Sequence, residues 1–195
     1  MSEIVRMVVV LCLIAGVSAA ALTTANIQLG PRVEAQTDLY VRGPALERLF
    51  NKPAREVLEN KVVVNVDGVG VPVFFTREEQ AVSALAIEAV GRGGYGGDLK
   101  LMVGIDLINE KQTGIEVVSH SETPGLGARI LEIAFRRQWQ GLPLDTPVAL
   151  TSDGGEIDAI SGASTTSRAA VNGTNDALDF VRERKAEILK LIAER

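Results

Sequence analysis

An uncharged apolar segment near the N-terminus constrains this chain more than any other feature. Residues 7–25, MVVVLCLIAGVSAAALTTA, run for nineteen positions without a charged side chain. As a helix rising about 1.5 Å per residue, the segment nearly crosses a hydrocarbon core of about 30 Å. We therefore predict a transmembrane anchor over residues 1–28, which leaves the rest of the chain to fold outside the bilayer.

A secretory signal peptide is the alternative interpretation of the same segment. The small residues 18–21, Ser-Ala-Ala-Ala, could serve as its cleavage site. A signal peptide has a shorter apolar stretch, so the length of the run favours an uncleaved anchor. Arg6 precedes the run together with Glu3, and this weak signal indicates an N-terminus in the cytoplasm. We therefore expect a single-pass protein of the cytoplasmic (inner) membrane, with its soluble domain on the extracytoplasmic side.

The composition excludes several kinds of site and partner. The 195 residues carry a net charge of −5 and contain no basic stripe, which argues against nucleic acid as a partner. Cys12 is the only cysteine and His120 the only histidine. Neither a disulfide framework nor a metal site made of cysteines or several histidines can therefore form within this chain alone.

The pattern after the anchor predicts a connector and then a folded domain. Residues 29–60 are expected to form a connector with two short helices separated at Pro53, and residues 61–195 the domain. Residues 62–76 are typical of a β-hairpin with Asp67 and Gly68 at the turn. Residues 81–90 are rich in alanine and could be helical, but their place between a hairpin and a glycine cluster favours a strand. Further strands are predicted at residues 99–108, 113–120, 147–152 and 155–160.

Two helices complete the predicted domain. Apolar residues at positions 130, 131, 134 and 135 form one helix face and predict a helix over residues 128–141. A second helix begins at about Ser164 and continues to the C-terminal end, with Gly173 as its weak point. The expected fold class is α+β, an antiparallel sheet with packed helices, preceded by one N-terminal transmembrane helix.

Residues 158–167, DAISGASTTS, form a segment rich in hydroxyl groups at the predicted helix start. We call it the hydroxyl segment; it contains Ser161, Ser164, Thr165, Thr166 and Ser167. Ser161 or Ser164 could cap the helix, but capping explains only one or two of the five. A helix N-terminus also offers free N–H donors and partial positive charge to a phosphate, and Gly162 and Ala163 leave room for a bulky group. A hydroxyl here could therefore hold a phosphate or be joined to one.

Two other segments combine glycines with polar residues. In residues 120–129, HSETPGLGAR, the glycines and Pro124 predict a tight loop with Glu122 and Thr123 as polar tips, whose bare backbone suits a flat ring. In residues 91–106, GRGGYGGDLKLMVGID, four glycines surround Tyr95 and could form a flexible hairpin end. Neither is a dinucleotide fingerprint. A serine hydrolase is not expected, because SGAS is not a nucleophile elbow.

Taken in order, the anchor, GYGG with LMVGID, ETPGLG and DAISGAS closely resemble the RnfG subunits of Rnf membrane electron-transport complexes. That family is similar to the NqrC subunits of sodium-pumping quinone reductases, and the resemblance covers nearly the whole chain. It implies FMN held by a phosphoester to the last residue of a D-x-x-S/T-G-A-T motif, installed by a flavin transferase that uses FAD as donor. Asp158, Ser161, Gly162 and Ala163 match this motif, which makes Ser164 the acceptor.

The acceptor position departs from the family, because Ser164 stands where threonine is expected. A primary hydroxyl can undergo the same phosphoryl chemistry, so Ser164 is our first choice. Thr165 ranks second and Thr166 third. A shift by one residue along a helix turns the attachment point by about 100°, so the three choices are structurally distinct.

The resemblance also implies the surroundings of the flavin and the role of the chain. The tight loop, residues 122–127 (Glu122, Thr123, Pro124, Gly125, Leu126 and Gly127), would lie against the flavin, with Tyr95 as a looser candidate. His120 could touch the flavin or simply end a strand, and Trp139 is expected to pack inside the domain rather than stack on a ring.

In this interpretation the chain is an electron-carrying subunit without a complete active site of its own. The resemblance implies that its complex, built with other membrane subunits, exchanges electrons between ferredoxin and NAD and moves Na⁺ or H⁺ across the membrane. Two alternatives stay open: a membrane-tethered scaffold of the same fold without covalent flavin, and an NqrC-type subunit of a quinone reductase.

Overall fold

The computed structural model describes residues 2–66, 68–79 and 81–195, and the chain divides into two compact units, Met1–Tyr40 and Val41–Arg195. The first unit consists mainly of helix α1 (Glu3–Thr37), which has no buried residue. Its apolar side chains are exposed along its length, and it is long and apolar enough to cross a membrane. Helix α1 is therefore a candidate transmembrane span. A π-helical turn, Asp38–Arg42, follows it in the sequence.

A five-stranded antiparallel sheet is the centre of the second unit. Its strands are β1 (Lys61–Val66), β2 (Val69–Glu78), β3 (Ala81–Gly94), β4 (Gly97–Asp106) and β5 (Lys111–Ser119), and they pair in sequence order. The predicted hairpin over residues 62–76 is confirmed, although Asp67 of its turn lies outside the described residues. The choice of strand over helix at residues 81–90 is also confirmed. Continuous apolar runs in β3 and β4 place buried side chains on both faces of the sheet, because successive residues of a strand point to opposite faces.

Helices cover both faces of the sheet, which confirms the predicted α+β class. Helix α5 (Ser164–Ala193) packs on one face, mainly against β3 and β4. Helices α2 (Gly43–Phe50) and α3 (Ala54–Glu59) cover the other face, where Leu46 and Leu49 meet Phe74 and Met102. Pro53 separates α2 from α3, as predicted.

Ion pairs join two largely buried carboxylates of the sheet to arginines on this face. Glu116 of β5 is 7% exposed and accepts a hydrogen bond of 2.8 Å from Arg48 of α2, while its other oxygen pairs with Arg136. Glu88 of β3 pairs with Arg42 at 2.6 Å. A carboxylate on this face of the sheet would be costly to bury without such partners.

The predicted helix over residues 128–141 is wrong. The segment forms a 3-10 helix (Gly127–Leu131), a short helix α4 (Ile133–Arg136) and a second 3-10 helix (Arg137–Trp139). Glu132 interrupts the helical backbone with φ −65° and ψ 135°. This extended residue lets Ile130, Phe135 and Trp139 all point into the core.

The two strands predicted at residues 147–152 and 155–160 are also wrong. They make a single parallel bridge, Leu150 to Ile157, around a 3-10 turn (Thr151–Asp153). The Gly155 amide donates to the Leu150 carbonyl at 2.9 Å, and the Thr151 amide donates to the Ile157 carbonyl at 2.9 Å. The backbone groups of residues 147–160 therefore pair with one another locally instead of joining the sheet.

Gly173 is not a weak point of α5. The helix continues through it, and Gly173 is buried against Gly91 of β3. Close approach of helix and sheet, rather than flexibility, explains the glycine.

Candidate functional site

Helix α5 begins at Ser164 without a side-chain cap. Its N-cap residue is Ala163, and Gly162 before it has φ 78°. The capping role considered for Ser161 or Ser164 is therefore wrong. The first backbone bond of the helix runs from the Ser167 amide to the Ala163 carbonyl at 3.1 Å. The amides of residues 164–166 therefore have no partner inside the helix and remain available as donors.

The five hydroxyl groups of the hydroxyl segment fall into two sets. Thr166 and Ser167 are fully buried. The Ser167 hydroxyl accepts from the Ile160 amide at 2.9 Å and donates to the Ala163 carbonyl at 3.1 Å, which closes the loop before the helix. Ser161, Ser164 and Thr165 are exposed. These three hydroxyls are accessible from solvent.

Glu122 is buried, which corrects the prediction that it is a polar loop tip. Its side chain is 5% exposed. One carboxylate oxygen accepts from the Thr166 hydroxyl at 2.8 Å, and the other accepts from the Gly96 amide at 3.1 Å. Glu122 thereby joins the tight loop both to α5 and to the β3–β4 turn.

Residues 123–126 of the tight loop are exposed beside the start of α5, whereas Gly127 is buried. The Thr123 carbonyl accepts from the Leu126 and Ala128 amides at 3.2 and 3.1 Å, and Gly125 has φ 76°. The Leu126 side chain lies against Gly162, where an added Cβ would stand 3.3 Å from the Leu126 Cδ2 atom. The loop and the hydroxyl segment therefore form adjoining parts of one surface, which also exposes Thr123 and Pro124.

Tyr95 lies at the tip of the β3–β4 hairpin, residues 93–97, which we call the hairpin tip. Gly94 pairs with Gly97, so Tyr95 and Gly96 form the turn, and Tyr95 is 80% exposed. A Cβ at Gly96 would collide with the Ser121 carbonyl. The glycines let the hairpin tip pack on the strand end that leads into the tight loop, which is a structural reason for the cluster.

Asp158 is held by a residue that the sequence did not single out. The Gln138 side chain accepts from the Asp158 amide at 2.6 Å and donates to the Asp158 carbonyl at 3.3 Å. The carboxylate of Asp158 is exposed. Gln138 lies twenty residues earlier in a segment predicted to be helical, so no local pattern could have found this contact.

Arg168 is a second residue that the sequence did not single out. It lies four residues after Ser164, on the same side of the first turns of α5. It forms an exposed ion pair with Asp153. The hydrogen bond and charge of Asp153 raise the pKa of Arg168, and Arg168 lowers the pKa of Asp153.

His120 and Trp139 have structural contacts. The His120 Nδ1 atom accepts from the Glu122 amide at 3.1 Å, so His120 turns the chain from β5 into the tight loop. Trp139 is fully buried and meets the Phe135 ring edge-on at 5.1 Å, as expected of a packing residue. A cavity of about 390 Å³ lies elsewhere, between the β4–β5 turn and the later turns of α5.

Comparison with known proteins places the class of this domain. Residues 94–179 match the family described as FMN-binding domain. This range includes residues 94–97 of the hairpin tip, the tight loop and the hydroxyl segment. The second unit therefore carries an FMN-binding domain.

Individual relatives specify the family further. The RnfG subunit of the ion-translocating oxidoreductase complex of Methanosarcina acetivorans is 32% identical over 191 residues, which are 92% of this chain and 95% of the relative. The corresponding protein of Aliivibrio fischeri is 35% identical over 142 residues, which are 67% of this chain and 66% of the relative. The chain belongs to the family of these RnfG proteins, which confirms the resemblance seen in its motifs.

A solved structure supports the fold. The NqrC subunit of the Na⁺-translocating NADH-quinone reductase of Parabacteroides distasonis superposes with a TM-score of 0.61 at 20% identity, over 76% of this chain and 93% of that one. The antiparallel sheet with its packed helices is therefore NqrC-like.

Proposed function

We propose that this chain is the electron-carrying RnfG-type component of a membrane ion-translocating oxidoreductase complex, with FMN joined to Ser164 through a phosphoester. One observation carries the proposal. Ser164 is an exposed hydroxyl at the first position of an uncapped helix, inside an FMN-binding domain. The exposed hydroxyl, the unpaired amides at the helix start and the membership of an FMN-binding family therefore all support this site.

The helix start suits the phosphate of FMN. The amides of residues 164–166 are donors without intrahelical partners, and the helix dipole favours negative charge at this end. Arg168 lies one turn further along and can turn from Asp153 toward an added phosphate. These groups fit the negative charge of a phosphoester.

The contacts of the hydroxyls rank the acceptors. Thr166 is buried and its hydroxyl donates to Glu122, which disfavours it. Ser164 and Thr165 are both exposed. Ser164 has the motif position, so it stays first and Thr165 second. In the transfer, the acceptor oxygen bonds to the FMN phosphorus of FAD, AMP leaves, and the hydroxyl proton is released.

The surroundings of Ser164 suit a flat ring. Leu126 offers an exposed apolar side chain, and Gly125 and Gly162 leave backbone uncovered beside it. Thr123 and Pro124 extend this surface, and Tyr95 lies on the neighbouring hairpin tip. Bound FMN supplies one- and two-electron transfer, while the residues of this chain bind and orient it.

The proposed setting follows from the family and from α1. We propose that α1 anchors the chain in the cytoplasmic membrane, with the FMN domain on the extracytoplasmic side. Its partners would be the other membrane subunits of an Rnf-type complex, which passes electrons between ferredoxin and NAD and moves Na⁺ or H⁺. A flavin transferase would complete its maturation. The covalent bond would prevent loss of FMN where free flavin is not replenished.

A tethered scaffold without covalent flavin is the second candidate. The serine at the acceptor position favours it, because the family motif has threonine there. The first candidate predicts a fluorescent band after denaturation, and the second predicts none.

Mass spectrometry of the intact chain from its native membrane tests the proposal. We expect the added mass of FMN less one water, on the peptide that contains Ser164. Ser164→Ala should lose most of it even after long incubation, whereas Thr166→Val should still acquire it at the endpoint, because the buried Thr166 hydroxyl is not the acceptor. A bare polypeptide mass in cells that contain the transferase would show that the covalent claim is wrong. If the added mass of FMN lies on Thr165 in the wild type, then the acceptor is Thr165 and not Ser164.

A further inference from the structure

Glu122 connects three segments that are distant in sequence. Its carboxylate accepts from the Gly96 amide in the hairpin tip and from the Thr166 hydroxyl in the first turn of α5, while its own backbone belongs to the tight loop. All three segments border the proposed FMN site. The side chain is 5% exposed, so water competes little for either contact.

The space around the carboxylate is fitted to it. A Cβ at Gly94 would stand 2.6 Å from one carboxylate oxygen, and a Cβ at Gly127 would collide with the other and stand 2.9 Å from the Thr166 hydroxyl. Glycine at these two positions therefore leaves the volume that the carboxylate occupies. The contact is part of a packed junction and not a chance approach of surface groups.

From this geometry we infer that Glu122 is the positioning residue of the flavin acceptor. The inference rests on the proposed function. Thr166 lies two residues after Ser164 in the same helical turn, so holding the Thr166 side chain holds the backbone of that turn and the direction of the Ser164 Cα–Cβ bond. The same carboxylate holds the hairpin tip and the tight loop against that turn. Both carboxylate oxygens of Glu122 are already occupied by Gly96 and Thr166, so Glu122 acts through these residues and not through contact with the phosphate.

The chemistry of the two donors explains why an acidic residue is present. A carboxylate offers two acceptor oxygens, one for the Gly96 N–H and one for the Thr166 O–H. A glutamine can keep both contacts in one orientation, because its oxygen faces Gly96 and its amide donates to the Thr166 hydroxyl, which can also accept. Alanine loses both contacts, and valine at position 166 loses only one.

The test measures FMN transfer to the full-length chain in detergent, with a flavin transferase and FAD. We expect Glu122→Ala to slow the initial rate about tenfold or more, since a misplacement of about 1 Å can cost about a hundredfold. Glu122→Gln should stay within about twofold of wild type, because its two contacts survive. Glu156→Ala, an exposed glutamate on the loop before the hydroxyl segment, is the matched control and should transfer as wild type does.

Amide hydrogen exchange supplies a readout that does not need flavin. The Gly96 amide should lose protection in Glu122→Ala and keep it in Thr166→Val, because only the first change removes its acceptor. A purely global loss of stability would unprotect all strands together. If Glu122→Ala does not fold, Thr166→Val replaces it, with a several-fold slower transfer expected while Gly96 stays protected.

The outcomes separate the inference from the proposed function. Transfer to Glu122→Ala, or to Thr166→Val in its place, at the wild-type rate would overturn the positioning role and leave the covalent FMN intact. A wild-type chain that accepts no FMN would overturn the proposed function, and the positioning role with it. Loss of Gly96 protection in Glu122→Ala would then still identify Glu122 as the junction of the three segments.

Discussion

Gly173 of α5 lies directly against Gly91 of β3, with no room for a side chain between the two backbones. A Cβ at Gly173 would stand 2.8 Å from both the Cα and the amide nitrogen of Gly91. A Cβ at Gly91 would in turn collide with the Ala169 carbonyl. This glycine pair sets the distance between α5 and the sheet, and therefore the height of the helix start above the β3–β4 hairpin.

Gly173→Ala should destabilise the domain despite the better helix propensity of alanine. The propensity gain is about 1 kcal/mol, whereas forcing a methyl group against backbone costs about 1–3 kcal/mol. We expect a lower melting temperature, followed by the fluorescence of Trp139. Asn172→Ala, on the exposed side of the same helix, is the control and should not lower it. An equal or higher melting temperature for Gly173→Ala would contradict the close packing.

Ser164→Thr should preserve flavin attachment at position 164. Threonine restores the residue that the family motif carries, and its hydroxyl occupies the same helix position. We expect FMN on the same peptide at a level equal to wild type or higher, measured by peptide mass spectrometry. Loss of FMN in this variant would mean that the site tolerates only a primary hydroxyl.

Removal of the Glu116 carboxylate should destabilise the domain strongly. Glu116→Ala leaves Arg136 without its partner, and the Arg136 side chain is 14% exposed. Breaking such a buried pair costs about 3 kcal/mol. Arg48→Ala is the comparison: its side chain is 53% exposed, so its loss should cost about 1 kcal/mol or less. Chemical denaturation of the two variants checks the order, and a larger effect for Arg48→Ala would refute it.

Gln138→Ala should loosen the start of the hydroxyl segment. The change removes two hydrogen bonds to the Asp158 backbone, worth about 1 kcal/mol each. We expect faster amide exchange at Asp158 and slower FMN transfer. Gln138→Glu keeps the acceptor for the Asp158 amide and should show a smaller change in exchange. Identical amide exchange at Asp158 in wild type and Gln138→Ala would show that the two hydrogen bonds from Gln138 do not hold this segment.

Acid should weaken the domain through Asp106 in the β4–β5 turn. Partial burial raises the pKa of Asp106, but hydrogen bonds from Asn109 and Ile108 outweigh this effect and leave the pKa below its usual value. The folded pKa is thus lower than the unfolded value of about 3.9, so the carboxylate contributes its full stability above that pH. The contribution is lost as the pH falls through the folded pKa. Between pH 5 and pH 2, the melting temperature should fall less steeply with decreasing pH for Asp106→Asn than for wild type.

Local patterns were sufficient for the elements that the sequence predicted correctly. The apolar runs of β3 and β4, and the glycine before α5, are signals contained within short stretches of sequence. The long apolar helix α1 is likewise a property of one continuous run. The position of Ser164 at the start of α5 follows from the same local signals.

Contacts between distant residues decide what the sequence could not predict. Glu122 is buried because Thr166, forty-four residues later, and Gly96, twenty-six residues earlier, supply its donors. The helix pattern of residues 128–141 yields at Glu132 because three apolar side chains must reach the same core. The N-cap position of α5 holds Ala163, which has no side-chain acceptor, so the usual preference for serine or threonine at that position did not locate the N-cap here.

The strand order has a consequence for how the domain is made. Every strand pairs with its neighbour in sequence, so the sheet can grow one hairpin at a time as the chain emerges during synthesis. The helix that seals the larger core, α5, follows all five strands in the sequence, so it is synthesised after them. Until α5 docks, the apolar face of the five-stranded sheet is exposed to solvent, and the acceptor hydroxyl is not yet held at a helix N-terminus. Synthesis that stops short of residue 164 would leave an open sheet, and it is the arrival of α5 that closes the domain.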